Sequence, residues 1–299
     1  MIRSVLAILA LIATNSAAFA QSSKGPVVLK PSSAWHVDYA EDRCRLARQF
    51  GEGDELVYAF FDRYGPTEYF RLTLAGKPLK GVLKKGEVEI QFGPNEGQQQ
   101  LAFFAGNLGK LPALLVVTQA RVAPPTPADL TSMATAGPGE WINLEPVGGA
   151  REGAIRTLVI SKAVRRNIIL ETGSMRKPLE ALGTCMDNLM TTWGIDVERH
   201  KSLTQTANPL NTPQNWVVSR DYPLDMLDAG QPAIVEFRLS IGADGVPTAC
   251  HIQSTTRPKA FDDAVCNSVM KRARFKPALD AQGKPLASYY RSSVRFQIP

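Results

Sequence analysis

Hydrophobic and polar positions between residues 35 and 101 alternate with the short period of β-strands. Aromatic and β-preferring side chains fill the runs at 57–61 and 69–74, and residues 88–92 alternate apolar with polar side chains. Glycine and proline turn signals separate these runs. The pattern predicts antiparallel β structure in this part of the chain.

The hydrophobic period changes in the residues that follow. Apolar runs at 158–160 and 168–170 predict two more strands, and residues 128–136, after a proline cluster, predict a short helix. Residues 175–193 predict a longer helix, because large apolar side chains recur at three- and four-residue steps. These side chains are Leu179, Leu182, Met186, Leu189 and Trp193. We therefore predict an α+β domain over residues 35–200, mainly antiparallel β with a C-terminal helix.

Two polar segments bound this domain. Residues 21–34 are small, polar and proline-containing, which predicts a flexible leader with order beginning near Trp35. Residues 201–215 carry almost no apolar side chain to bury, which is typical of a linker between domains. The length of 299 residues also favours two domains. A second domain is therefore expected over residues 216–299.

Residues 216–299 show a sharper succession of elements. The pattern predicts a helix, two strands, an amphipathic helix and a last strand, at 224–228, 233–241, 246–254, 260–273 and 289–298. Asp244-Gly245 between the first two strands is a strong hairpin signal. We expect a small three-stranded antiparallel sheet with two helices, whose last strand is available as an edge.

The first residues have the three regions of a secretory signal peptide. Arg3 precedes an apolar run at 5–13, and Ala18-Phe19-Ala20 forms a small-residue cleavage site. The apolar run is shorter than the ~20 residues that span a bilayer. We predict export to the periplasm with cleavage after Ala20; a retained membrane anchor is the alternative.

Export would place the four cysteines in an oxidising compartment where disulfides form. No pair has the C-x-x-C spacing of a zinc or redox motif. Four cysteines allow three pairings. Cys250 and Cys266 are close in sequence and fall in one predicted domain, which favours Cys44–Cys185 and Cys250–Cys266. Closing the shorter loop should stabilise the fold by about 3 kcal/mol.

Charge and motifs argue against nucleic-acid binding and against catalysis. The formal net charge of +6 is spread thinly, and the basic clusters lack the stacking aromatic side chains of a nucleic-acid platform. The three histidines, His36, His200 and His251, have no catalytic partners at a recognisable spacing. The common hydrolase, metalloprotease and nucleotide-binding motifs do not occur. We predict a protein that is not an enzyme and uses no cofactor or metal.

A set of C-terminal residues, taken together, resembles the TonB C-terminal family. The set is Tyr222-Pro223, Val235-Glu236-Phe237, Asp244-Gly245-Val246, Ile252, Phe261-Asp262, Phe275-Lys276-Pro277-Ala278 and Gly283-Lys284-Pro285. The resemblance covers about residues 216–299. It implies a periplasmic module that pairs its sheet edge with a short extended segment of an outer-membrane receptor. In such pairing, backbone hydrogen bonds give affinity and side-chain pockets give selectivity.

Outside this domain the chain departs from the energy-transducing members of the family. Those members resemble one another in a retained transmembrane helix with a functional histidine and in a long proline-rich spacer. Here the apolar run has no histidine, and a predicted folded domain stands where the spacer would be. We therefore predict a periplasmic interaction protein that binds an envelope partner, such as a TonB-dependent outer-membrane receptor, along residues 288–297. The predicted contact residues are Tyr289, Tyr290, Arg291, Val294, Arg295 and Phe296.

Two alternatives remain open at this point. A retained N-terminal segment would make the chain a membrane-anchored energy transducer of the TonB type. An envelope enzyme would instead have its site in the first domain, with His36 as the residue to test.

Overall fold

The computed structural model describes residues 25–82, 85–116, 120–135, 146–256 and 258–298. The predicted signal peptide at residues 1–20 lies outside these ranges, so its cleavage stays a prediction. Within the described ranges, no helix combines the length and the apolar character needed to cross a membrane.

In the N-terminal part of the chain, the described residues form one sheet of ten strands. In chain order they are β1 (Val27–Leu29), β2 (His36–Tyr39), β3 (Cys44–Phe50), β4 (Val57–Arg63), β5 (Arg71–Gly76), β6 (Lys85–Phe92), β7 (Gln99–Leu108), β8 (Leu111–Val116), β9 (Leu158–Ser161) and β10 (Ile168–Leu170). Their order across the sheet is β1-β10-β9-β6-β7-β8-β5-β4-β3-β2. Neighbouring strands are antiparallel except β1 and β10. The predicted α+β class with a mainly antiparallel first sheet is confirmed.

This sheet curls until its two ends meet. After β1 the chain crosses to β3, where the Ser32 amide donates a hydrogen bond to the Gln49 carbonyl oxygen over 3.0 Å. Aromatic rings fill the interior: the ring centroid of Phe70 lies 5.1 Å from that of Phe61 and 5.9 Å from that of Phe92. Edge-to-face pairs of this kind add to the large apolar area that such rings bury.

Four α-helices are described in the N-terminal part of the chain, residues 117–119 and 136–145 being outside the described ranges. They are α1 (Pro127–Thr135), α2 (Gly149–Ala154), α3 (Arg176–Thr192) and α4 (Val197–Lys201). As the apolar spacing predicted, α3 buries one face, including Leu182 and Met186, and packs it against β2 and β3. Cys185 on that face is bonded to Cys44 at the start of β3, which confirms the predicted pairing.

The segment predicted as a flexible leader differs from the expectation. Residues 27–29 form β1, which pairs in parallel with β10, and Leu29 is buried in the core. Order therefore begins before Trp35. Val27 and Leu29 pack on the core beside β10, whereas Val28 is exposed, and this burial outweighs the small polar residues around the strand.

The C-terminal part contains a second, smaller sheet. The helices and strands of this part of the chain are β11 (Asn208–Pro209), α5 (Leu224–Asp228), β12 (Ala233–Ile241), β13 (Pro247–Thr255), α6 (Lys259–Arg272), β14 (Phe275–Lys276), β15 (Ala278–Leu279), β16 (Pro285–Leu286) and β17 (Ser288–Phe296). Three strands form an antiparallel sheet in the order β13-β12-β17, which confirms the predicted arrangement. The disulfide Cys250–Cys266 joins β13 to α6, as expected from the spacing.

The predicted linker, residues 201–215, lies against the C-terminal elements. β11 pairs with β14, and Gln205 forms an isolated bridge with Leu279 of β15. The described core residues form two separate hydrophobic clusters, one in each part of the chain. These clusters agree with two domains, whose boundaries remain a prediction.

Gly245 in the predicted hairpin turn offers a test of this packing. Its φ of +79° favours glycine, and a Cβ there would overlap the Phe275 carbonyl oxygen. Gly283 has a similar φ of +72° but no atom near the Cβ position. We expect Gly283→Ala to lower the unfolding free energy by about 1 kcal/mol, the cost of a left-handed L-residue. Gly245→Ala should cost about 3 kcal/mol or more, because strain and overlap combine.

Urea unfolding monitored by tryptophan fluorescence measures both variants. Equal losses of unfolding free energy for the two variants would contradict the close approach of the hairpin turn to Phe275.

Candidate functional site

The two faces of the β13-β12-β17 sheet have different surroundings. On one face Tyr290 packs against Phe275 with ring centroids 5.0 Å apart, and Phe296 packs against Phe261 of α6 at 4.9 Å. Val294 contributes to the same hydrophobic cluster. This face is therefore the core of the C-terminal domain.

The opposite face of the sheet meets the N-terminal part of the chain. Arg238 of β12 is only 2% exposed, and its guanidinium carbon lies 3.9 Å from the ring centroid of Trp193. Its Nη2 lies 3.3 Å from the Asp42 carboxylate. Burial lowers the pKa of Arg238, and the Asp42 carboxylate opposes that effect. A buried cation between an aromatic face and a carboxylate is a strong orienting contact.

A second polar contact lies further along the same interface. Arg71 of β5 forms an ion pair with Glu236 of β12 at 2.5 Å. Arg71 and Arg291 of β17 both lie against the Tyr64 ring, with guanidinium carbons 5.1 and 5.0 Å from its centroid. The two domains are thus held together through charged and aromatic side chains rather than through a shared apolar core.

The outer edge of β17 opens into a cleft between the two domains. Among the described residues, β17 has β12 on one side and no strand on the other. A cavity of about 590 Å³ is lined by residues 288–291 of β17 together with residues of α3 and α4. A second cavity of about 290 Å³ is lined by residues 291–293. The two cavities share Arg291 and Thr67, so they are adjoining sections of one cleft, which we call the β17 cleft.

Aromatic residues close one end of the β17 cleft. The Tyr289 ring lies 5.7 Å from Trp193 and stacks on His200 at 5.6 Å. The Ser288 hydroxyl lies 3.3 Å from Nε2 of His200. Burial lowers the pKa of His200 to about 4 and raises the pKa of Tyr289 to about 12. Both side chains are therefore neutral near pH 7.

The six predicted contact residues separate into two groups. Val294 and Phe296 pack in the domain core, so their side chains would not face a partner that pairs with the edge, whereas Tyr290 packs in the same cluster and also lines the larger cavity. Tyr289 and Arg291 line the β17 cleft, and Arg295 is exposed near the end of the strand. Successive side chains of a strand point to opposite faces of the sheet, which accounts for the two groups. The binding of a partner by these residues stays a prediction.

The histidines lie in three different environments. His36, the residue named for the enzyme alternative, is exposed on β2. His251 on β13 is half-buried, and burial together with the nearby Arg238 lowers its pKa. His200 lies in the β17 cleft. The sequence pattern around His200 did not indicate this location. Among the described residues, no group of three or more His, Cys, Asp or Glu side chains could hold a metal ion.

Comparison with known families agrees with this architecture. Residues 218–298 match the family model described as the Gram-negative bacterial TonB protein C-terminal. This part of the chain is therefore a TonB C-terminal domain, and the resemblance seen in the sequence is confirmed. Such a domain suggests a TonB-like protein that interacts with partners in the cell envelope. A search of the curated proteins found no match to the chain.

The buried His200 predicts a pH-dependent stability. Its pKa is about 4 in the folded protein and 6.5 in an unfolded chain, so only the unfolded chain gains this proton between those values. The unfolding free energy should therefore fall as the pH falls from 6.5 to 4, by up to about 3 kcal/mol from this group. His200→Gln should remove that part of the pH dependence.

Urea unfolding at pH 7 and pH 4.5 measures the effect. His36→Gln, at an exposed histidine, is the control and should keep the wild-type slope. An unchanged slope in His200→Gln would show that His200 is not buried as a neutral side chain.

Proposed function

We propose that this protein is exported to the periplasm and binds an extended segment of an envelope protein by strand pairing at the edge of β17. One observation carries the proposal: the outer strand of a TonB C-terminal domain faces an open cleft. An unpaired strand edge presents a row of free amide and carbonyl groups to any extended chain that enters. The partner class named in the sequence analysis, a TonB-dependent outer-membrane receptor, fits this mode.

The shape of the β17 cleft supports a strand as its occupant. Residues 288–293 of β17 lie along both cavities, so an added strand would have backbone partners over most of the strand. Across the cleft, the half-buried Val197 of α4 offers an apolar contact to a side chain of such a segment. This arrangement matches β-augmentation, in which the backbone supplies affinity and the walls supply selectivity.

The other edge of the same sheet, β13, is less suited to bind the partner strand. β13 is also an outer strand, yet α6 is bonded to it through Cys250–Cys266, and Gln253 on β13 donates to the Asp42 carbonyl of the first domain. Neither cavity of the β17 cleft is lined by β13. We therefore place the partner at β17.

Binding rather than catalysis is the activity that we propose. His200 and Ser288 are in contact, but within the described residues no carboxylate accepts a hydrogen bond from His200 to orient it. The third member of a nucleophilic triad is thus missing from this pair. An anchored energy transducer is a less suitable proposal, because a folded domain lies docked on the TonB C-terminal domain where a long spacer is expected.

Site-specific photo-crosslinking in intact cells tests the strand pairing. A benzophenone side chain in place of Ser293, exposed on β17, should crosslink to an envelope protein, because it lies at the partner's edge of the sheet. The matched control is Thr248, an exposed residue on β13. We expect at least a tenfold higher adduct yield at position 293 than at position 248. Equal yields, or adducts from position 248 alone, would contradict the proposal.

Export has a direct test of its own. The native protein recovered from the envelope should have the intact mass of a chain that begins at Gln21 and carries two disulfides. Mass spectrometry with and without reduction measures both features. A mass that includes residues 1–20 would instead favour the membrane-anchored alternative.

A further inference from the structure

Within the part of the chain that the structure describes, Arg63 is a buried cation without a bonded partner. It ends β4, is 8% exposed, and lines the larger cavity of the β17 cleft. Its Nε is fully buried and has no hydrogen-bond partner in the described ranges. Among the described residues, no carboxylate forms an ion pair with it; the carboxylates that influence it from further away are Glu68 and Glu152.

These two carboxylates are poor partners for Arg63. Glu68 is engaged elsewhere, since it accepts hydrogen bonds from Arg121 and from the Val147 amide. Glu152 influences Arg63 through charge alone, since no hydrogen bond or ion pair joins the two among the described residues. Arg63 itself remains charged near pH 7, because burial lowers its pKa only to about 10. A desolvated charge without a partner is costly to keep in a fold.

The surrounding cavity is suited to an anion. Lys201 in its wall is already paired with Asp187 at 2.8 Å. Arg291 donates to the neutral Gln253 amide at 2.6 Å and, among the described residues, forms no ion pair. The cavity therefore presents two guanidinium groups, Arg63 and Arg291, without a carboxylate bonded to either. Guanidinium groups match the geometry of carboxylates.

We infer that Arg63 anchors a carboxylate carried by the extended segment that pairs with β17. Residues 288–291 and Arg63 line the same cavity, so one strand on the β17 edge can place an acidic side chain or its own C-terminal carboxylate beside Arg63. The inference rests on the proposed strand pairing for its occupant. It adds the chemistry of recognition, namely an acidic partner segment.

The probe is a set of acetylated, amidated octapeptides of alternating threonine and valine, with one glutamate placed in turn at each position. A matched set carries glutamine instead, and free acetate serves as the small carboxylate. NMR titration of the full chain follows the Arg63 Nε resonance and the β17 amides. We expect the best glutamate peptide to bind about tenfold or more tightly than its glutamine match and to shift both sets of signals.

Two variants separate binding from folding. Arg63→Met should abolish the preference for glutamate while leaving the unfolding free energy of the free protein equal to wild type or higher, because it removes an uncompensated buried charge. Arg220→Met, at an exposed arginine that lines neither cavity, should change neither quantity. A large loss of stability in Arg63→Met would mean that the chain itself satisfies Arg63, which would overturn the inference.

The remaining outcomes distinguish this inference from the proposed function. Equal binding of both peptide sets with shifts at β17 would overturn the carboxylate site and leave strand pairing intact. If acetate shifts the Arg63 Nε resonance but no peptide shifts the amide resonances of β17, a peptide is not the occupant of the site. That result would overturn the inference and would also argue against strand pairing. If no probe shifts the Arg63 Nε resonance, the inference is overturned.

Discussion

The burial of Arg238 between Trp193 and Asp42 determines how the two domains meet. A guanidinium that is 2% exposed can remain charged only if its partners stay in place, and those partners belong to the other part of the chain. Separation of the domains would return the charge to water, but it would also break the Arg71–Glu236 ion pair and the contacts at Tyr64. Polar contacts of this kind specify orientation more than they add stability, so they fix the angle at which the sheet faces the first domain.

That orientation creates the β17 cleft. The C-terminal sheet buries one face under α6 and uses the other for docking, which leaves its strand edges as the surfaces open to a partner. The edge of β17 lies beside α3 and α4, and Cys44–Cys185 fastens α3 to the first sheet. The wall opposite the edge is therefore rigid. A strand that enters the cleft meets preformed backbone partners on one side and a fixed wall on the other, which lowers the ordering cost of binding.

How far the sequence could predict this structure depends on how local each signal is. The C-terminal elements were predicted to within a few residues, because the Asp244-Gly245 turn and the amphipathic spacing of α6 are local features. In the first sheet, β3 was not predicted: it carries arginines among its apolar residues, and Arg45 forms an ion pair with Asp62 on the neighbouring strand, at 2.6 Å. Tyr289 and Arg291 were correctly placed on the last strand, but the wall that faces them comes from α3 and α4. Arg63 and His200 gave no local signal, because their burial depends on residues distant in the sequence.

Amide hydrogen exchange of the full chain, alone and in complex with the envelope partner it captures, tests the central claim most directly. Strand pairing at the edge of β17 predicts new protection on the amides of residues 288–293 that face away from β12, with β13 unchanged. New protection confined to β13 or to the first sheet, with β17 exchanging as in the free protein, would contradict the account.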